Sequence, residues 1–197
     1  MTQAKPGLRE RKRRRTREAI VEAALDLFAE QGFEDTTIAE IADAAEIAPR
    51  TFFAYFPSKE DVVFADFPEM LEAAVARLHD RPAGESVVDA IRAVHLAAIE
   101  HPAPDEERHK LQQQLIRETE ALAARNRDLC GRVQEVFANA LQDDLGDELQ
   151  ARMAAAAMVA AFAGIDEVEA REDKMALVDQ ALDFVRGGIS SLQGATG

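Results

Sequence analysis

The chain has a single cysteine, Cys130, among its 197 residues. It can form no internal disulfide, and the easy reading of such a sequence is a reducing cytoplasm. β-Branched runs are scarce and strands are hard to find, while Ala-, Leu- and Glu/Arg-rich segments abound, which points to an all-α protein. Long apolar runs are missing too. The longest, Met153 to Gly164, has 12 residues, too few to cross a bilayer, and the sequence after Thr16 is too acidic and amphipathic for a signal peptide. No membrane partner is therefore expected. There is no glycine-rich phosphate loop and no G-x-S-x-G turn. The histidines, His79, His95, His101 and His109, have no i, i+4 pairing, and Cys130 has no C-x-x-C mate. Catalytic residues, a metal and a cofactor are all unexpected on these grounds.

Positive charge is in short supply, with 23 Lys and Arg against 37 Asp and Glu and a net charge of −14. It is also unevenly placed. Residues 1–17 hold eight Lys and Arg against Glu10 alone, a local charge of +7 that leaves −21 for the other 180 residues. A basic arm on an acidic body suits a protein that meets a polyanion at one end. Met1 to about Leu8 should be disordered on its own. The run RKRRR that follows, with Arg13, Arg14 and Arg15 at its end, reads either as a solubilising tail or as a phosphate- or minor-groove-binding arm.

The pattern that organises the chain is TTIAEIADAAEIAPRTFFAYFPSKE at 36–60. Thr37 stands at an N-cap position with Glu40 three residues on, so hydroxyl and carboxylate can each satisfy an orphan backbone N–H. Ile38, Ile41, Ala42 and Ala45 share an apolar face, small Ala42 leaves room for a crossing helix, and Ile47 can plug the corner. Pro49 suits the first position of a second short helix, to about Tyr55, that turns Phe52 and Phe56 inward and Arg50, Thr51 and Ala54 outward. Pro57 stops it, and Ser58 with Asp61 caps the next helix. Two short helices joined by a tight turn make a helix-turn-helix.

These residues, T-x-x-x-I-A-x-x-A-x-I followed by T-F-F-x-Y-F-x-S-K-E, resemble the DNA-binding head of the tetracycline-repressor (TetR) family over roughly Thr16 to Phe64. The resemblance implies a homodimer on double-stranded DNA with a palindromic operator, most often a repressor released by a small molecule bound in its C-terminal half. It assigns DNA contacts to Thr37, Pro49, Arg50, Thr51, Phe53, Tyr55 and Lys59, with Arg13, Arg14 and Arg15 from the arm. This chain departs from the family pattern at three places. Glu46 replaces the usual turn glycine and has to hold a left-handed backbone, Ala48 replaces a capping serine, and Phe53 lacks the phenolic hydroxyl of the usual tyrosine.

About nine helices are expected in two domains, an arm and head at 1–64 and a helical effector-binding and dimerisation domain at 65–197. The helix from Ser58 should kink or divide at Pro68. A helix from about Arg108 to Ala124 carries Gln112, Arg117 and Glu118 among Leu111 and Leu115, facing either solvent or a cavity. With His95, Val133 and Phe137 these residues would line a mostly apolar effector site, which suggests a largely apolar organic ligand. From this helix onward the pattern also resembles a TetR subgroup that responds to acyl-coenzyme A thioesters, with Arg117 or Arg125 meeting an anionic head group. The last helix sets Met175, Val178, Leu182, Val185, Ile189 and Leu192 at alternating spacings of three and four, a coiled-coil-like seam. In the resembling family the last two helices pair with their twofold mates, which assigns the dimer interface to Met158, Phe162, Val178, Leu182, Val185 and Ile189. The competing readings are a helical interaction protein without a DNA role and an activator without small-molecule induction.

Overall fold

In a computed structural model the described residues are 7–100, 106–166, 168 and 170–194, and their side chains except at 106, 107, 171 and 192–194. The start expected to be disordered therefore lies outside the description for residues 1–6. So do residues 101–105 and the side chain of Leu192. All regular structure among the described residues is α-helical. The helices are α1 (Leu8–Gln31), α2 (Ile38–Ala44), α3 (Pro49–Phe52), α4 (Glu60–Val63), α5 (Phe67–His79), α6 (Val87–Glu100), α7 (Glu106–Glu118), α8 (Glu120–Leu145), α9 (Glu148–Asp166) and α10 (Arg171–Gly194).

The tenth helix arises where Pro68 left two outcomes open. The chain divides at 64–66 into α4 and α5, and Pro68 falls in the first turn of α5, where its missing N–H has no helical acceptor to lose. A second boundary moves. The break expected after Ala124 lies instead at Thr119, whose N–H still bonds Leu115 O and whose carbonyl still accepts from Ala123. Asn126 and Asp128 interrupt the apolar pattern but continue α8, since a polar residue in a helix interior costs only a few tenths of a kcal/mol.

The chain packs as two compact units, Met1–Asp66 with Asp105–Arg125, and Phe67–Pro104 with Asn126–Gly197. The division differs from the expected one because α7 belongs to the first unit. Its Leu115 is buried, and Leu111 and Ile116 pack against the core formed by Ile20, Leu25, Phe28, Ile41, Phe52 and Phe56. In the second unit Leu78, Val87, Ile91, Phe137, Leu141, Met158, Val178 and Leu182 form one core.

Alanine-rich α9 is longer than the 12-residue apolar run inside it. It spans 19 residues and is long and apolar enough, by composition, to cross a membrane. One face, with Ala151, Ala155, Met158 and Phe162, is buried in the core of the second unit, so α9 is a core helix whose opposite face is also apolar.

Candidate nucleic-acid interface

The head is built by local chemistry that the sequence spells out. Thr37 Oγ1 accepts from the Glu40 backbone N–H at 3.3 Å while the Glu40 carboxylate accepts from Thr37 N at 2.8 Å, a complete capping box. The Thr37 hydroxyl, which donates to the same carboxylate at 2.7 Å, and then the Thr37 N–H hold the Glu40 carboxyl below the usual carboxylate range. Gly32 ends α1 at φ 90°, which lets Phe33 fold back so that its ring lies 5.0 Å from that of Phe28. In the turn after α2, Glu46 takes φ 54°, the left-handed conformation expected from the missing glycine, at a cost of about 1 kcal/mol. Ile47 N then bonds Ala42 O at 2.8 Å and closes the corner.

The recognition segment starts at Pro49 with no side-chain cap from Ala48. Regular helix lasts only to Phe52, and the bonds Ala54 N to Thr51 O and Tyr55 N to Phe52 O carry the coil on as tight turns. Phe52 is fully buried and Phe56 nearly so. Pro49 and Arg50 are exposed, Thr51 and Tyr55 half-buried, and Phe53 is 58% exposed with its ring edge-on to Phe52. Thr37 is exposed at the N-terminus of α2. Arg13, Arg14 and Arg15 are exposed too, on the second turn of α1, which begins at Leu8 and makes the basic run helical. Of these three, Arg14 is drawn 3.4 Å from Glu18, one helical turn on.

Lys59 has a different place from the one the resemblance assigned. Its ammonium donates to the carbonyls of Phe33 (2.6 Å), Thr36 (3.0 Å) and Glu34 (3.3 Å) and sits 4.4 Å from the centroid of the Phe33 ring. All three protons of a lysine ammonium are thereby engaged within the head.

Residues 20–65 match the sequence pattern of the family described as bacterial regulatory proteins, tetR family. The HTH-type transcriptional regulator TcmR of Streptomyces glaucescens is 37% identical over 177 residues, covering 85% of this chain and 76% of that protein. The chain belongs to the TetR family. Two solved structures share the fold of this TetR-family chain. NalD, the secondary repressor of the MexAB-OprM multidrug efflux pump in Pseudomonas aeruginosa, has a TM-score of 0.62 at 20% identity, covering 87% of this chain and 96% of that one. The repressor FadR of Thermus thermophilus, solved in complex with lauroyl-CoA, has a TM-score of 0.57 at 23% identity, covering 86% and 92%. The chain is a DNA-binding transcriptional regulator of the helix-turn-helix type.

Against this identification, two sets of expected residues move. The residues expected to line one effector site are divided between the units of the TetR-family chain. Leu111 and Leu115 belong to the first core, Gln112 Nε2 donates to Val63 O at 3.0 Å, and exposed Glu118 accepts from Gln114. Arg117 is exposed. Within the first unit, Leu111, Leu115 and Glu118 do border a cleft of about 370 Å³ with Phe28 and Phe33. In the second unit His95 stacks on Phe162 at 4.0 Å between centroids, and Phe137 meets Phe162 edge-on at 6.4 Å, with Val133 packed against the same core. The His95 Nε2 is buried with no hydrogen-bond partner among the described residues, 3.7 Å from an Asp166 carboxylate oxygen. Burial lowers the His95 pKa to about 4, and nearby Lys174 adds to the effect. Arg125, a candidate for an anionic head group, instead bonds Asp61 at 2.6 Å.

The expected dimer seam is corrected outright. Met158, Phe162, Val178, Leu182 and Val185 are buried in this chain's own core, and Ile189 packs against it. A period of three and four reports an apolar face without saying what covers it, and here the chain covers it itself. Apolar residues that the heptad reading passed over lie on the outside: Leu149 is 68% exposed, Met153 54% and Phe184 81%.

Proposed function

We propose that the chain is a homodimeric repressor that grips a palindromic operator and releases it when a small, largely apolar molecule binds the second unit. The observation that carries the DNA reading is the front of the recognition segment, where exposed Arg50 stands two residues before fully buried Phe52. The floor fixes the backbone, and the guanidinium is left to reach a base edge. An arginine fork can pair with guanine for about 1–3 kcal/mol of discrimination. The helical basic run supplies phosphate contacts, which position the head without reading sequence.

The dimer reading rests on α9. Leu149, Met153, Ala157, Ala160 and Gly164 fall on one side of that helix by their spacing, all exposed and all apolar. Small residues there let a second helix approach closely. A twofold mate would also cover Phe184 of α10, and a soluble cytoplasmic dimer fits these features. For the effector, the aromatic group of His95, Phe137 and Phe162 offers apolar contact with one polar handle, and the lauroyl-CoA held by FadR speaks for an aliphatic chain. Release requires that the ligand bind the DNA-free conformation more tightly.

The experiment has two steps. The full chain selects duplexes from a random library, and fatty acids, their coenzyme A thioesters and a set of small polar metabolites are then titrated against the bound duplex by fluorescence anisotropy. Enrichment of a palindrome and its release by at least one long-chain compound support the proposal. No enrichment overturns the DNA reading, and release only by small polar metabolites overturns the apolar one.

A further inference from the structure

Helix α4 has four residues, too few to hold themselves in water, since helix nucleation fixes several dihedrals for one hydrogen bond. Neighbouring elements hold it. Ser58 Oγ donates to Asp61 Oδ2 at 2.8 Å, and Lys59 reaches back to the α1–α2 loop. The carbonyls that the helix end leaves without partners are taken by side chains from elsewhere. Gln112 Nε2 of α7 donates to Val63 O at 3.0 Å, and the Arg17 guanidinium of α1 donates to Ala65 O. The other Asp61 oxygen accepts from Arg125 Nη2 of α8, 64 residues further along, at 2.6 Å. The Asp61 side chain is only 17% exposed. Loss of Arg125 would leave a largely covered carboxylate with Ser58 as its remaining side-chain partner among these bonds.

This clamped segment is the direct continuation of the recognition segment. Phe56 is anchored in the core, Pro57 follows, and Ser58 already belongs to the clamp. Wherever α4 is held, the end of the recognition segment at Phe56 must follow, because only Pro57 separates it from Ser58. We propose that Gln112 and Arg125 are positioning residues for DNA recognition, which act by fixing α4 and hence the presentation of Arg50, although both lie far outside the helix-turn-helix. The inference rests on the DNA-binding reading above. It gives Arg125 a role distinct from a phosphate or effector contact, because the guanidinium points an N–H at Asp61 while its Nε is buried with no partner among the described residues.

The test compares wild type, Arg125→Met, Arg125→Lys, Gln112→Met, Asp61→Asn and the Asp61→Asn/Arg125→Met double variant. All are full-length chains, measured on a duplex that the wild type selects from a random library and on a random-sequence duplex. Arg125→Met and Gln112→Met should each weaken the selected duplex by about tenfold and the random one by less than about threefold, as expected when charge-assisted or buried bonds that position a reader are lost. The slope of log affinity against log salt should stay unchanged, and Arg125→Lys should recover most of the loss. The double variant should be no worse than either of its parents, because both remove one interaction. A slope reduced by about 0.9 would make Arg125 a phosphate contact and overturn the proposal. Equal losses on both duplexes, or wild-type binding by all variants, would overturn it as well. Thermal unfolding is run alongside; if Arg125→Met does not fold, Gln112→Met and Arg125→Lys decide by the same comparison. Failure of the wild type to enrich any duplex sinks the DNA reading itself, which separates that outcome from failure of the clamp.

Discussion

Phe184 and Val185 are consecutive residues of α10 with opposite surroundings. Val185 is 6% exposed in the core of the second unit, and Phe184 is 81% exposed. Burial of Val178, Leu182 and Val185 turns α10 this way, and Arg186 pairs with Asp89 of α6 beside them. Phe184→Glu should therefore leave the fold intact and, on the proposed α9–α10 interface, give a monomer where the wild type gives a dimer in light scattering. Val185→Glu should lower the thermal midpoint sharply instead, because an unpaired charge in an apolar core costs at least about 3 kcal/mol. A dimeric, normally stable Val185→Glu protein would show that the core assignment of α10 is wrong.

Lys59 braces the α1–α2 loop through three carbonyls and the Phe33 ring. Lys59→Met should destabilise the head by about 1–3 kcal/mol, since the carbonyls lose a charged donor. The salt slope of DNA binding should stay as in wild type. A slope lower by about 0.9 with unchanged stability would restore Lys59 to a phosphate.

Arg13 and Arg15 stand exposed on the helical arm, while Arg50 stands on the recognition segment. Arg13→Gln with Arg15→Gln should weaken every sequence and lower the salt slope by about 0.9 for each phosphate lost. Arg50→Ala should relax the preference at one base pair of the selected site. Library selection with both proteins checks this, and identical enriched motifs would remove Arg50 from the base contacts.

His95 and Asp166 are shifted in opposite directions, each first by burial. Burial and Lys174 bring His95 down from 6.5 to about 4, so the unfolded chain takes up a proton first and stability falls as pH drops from about 6.5 to 4. Burial raises Asp166 from 3.8 to about 6 with Lys174 opposing, so its contribution is gained on the same descent. Half of the Asp166 side chain still reaches solvent, and water there makes its contribution the smaller. Near them, the Cys130 thiol is pushed up by burial and by Asp166. Wild type should lose stability only gently between pH 6.5 and 4. Asp166→Asn should make that loss steeper, and His95→Phe should reverse its sign. Urea unfolding across this range measures all three, and parallel profiles would mean that the pair is not coupled to folding.

The sequence by itself determined the local structure of the head. The capping box at Thr37 and Glu40, the left-handed Glu46, Pro49 at a helix start and the inward Phe52 and Phe56 all follow from residues within a turn of one another. Backbone donors and acceptors at helix ends have few local solutions, so short-range chemistry suffices there. Only the tertiary structure decided which neighbour each longer-range group meets. Lys59 chose the carbonyls of the α1–α2 loop, Gln112 and Arg125 joined α4, and the Val178, Leu182 and Val185 stripe turned into the chain's own core. Periodicity tells that a face is apolar and composition tells that a side chain is charged. Neither specifies the partner, because burial is non-directional and an ion pair is chosen by the distance between residues that lie far apart along the chain.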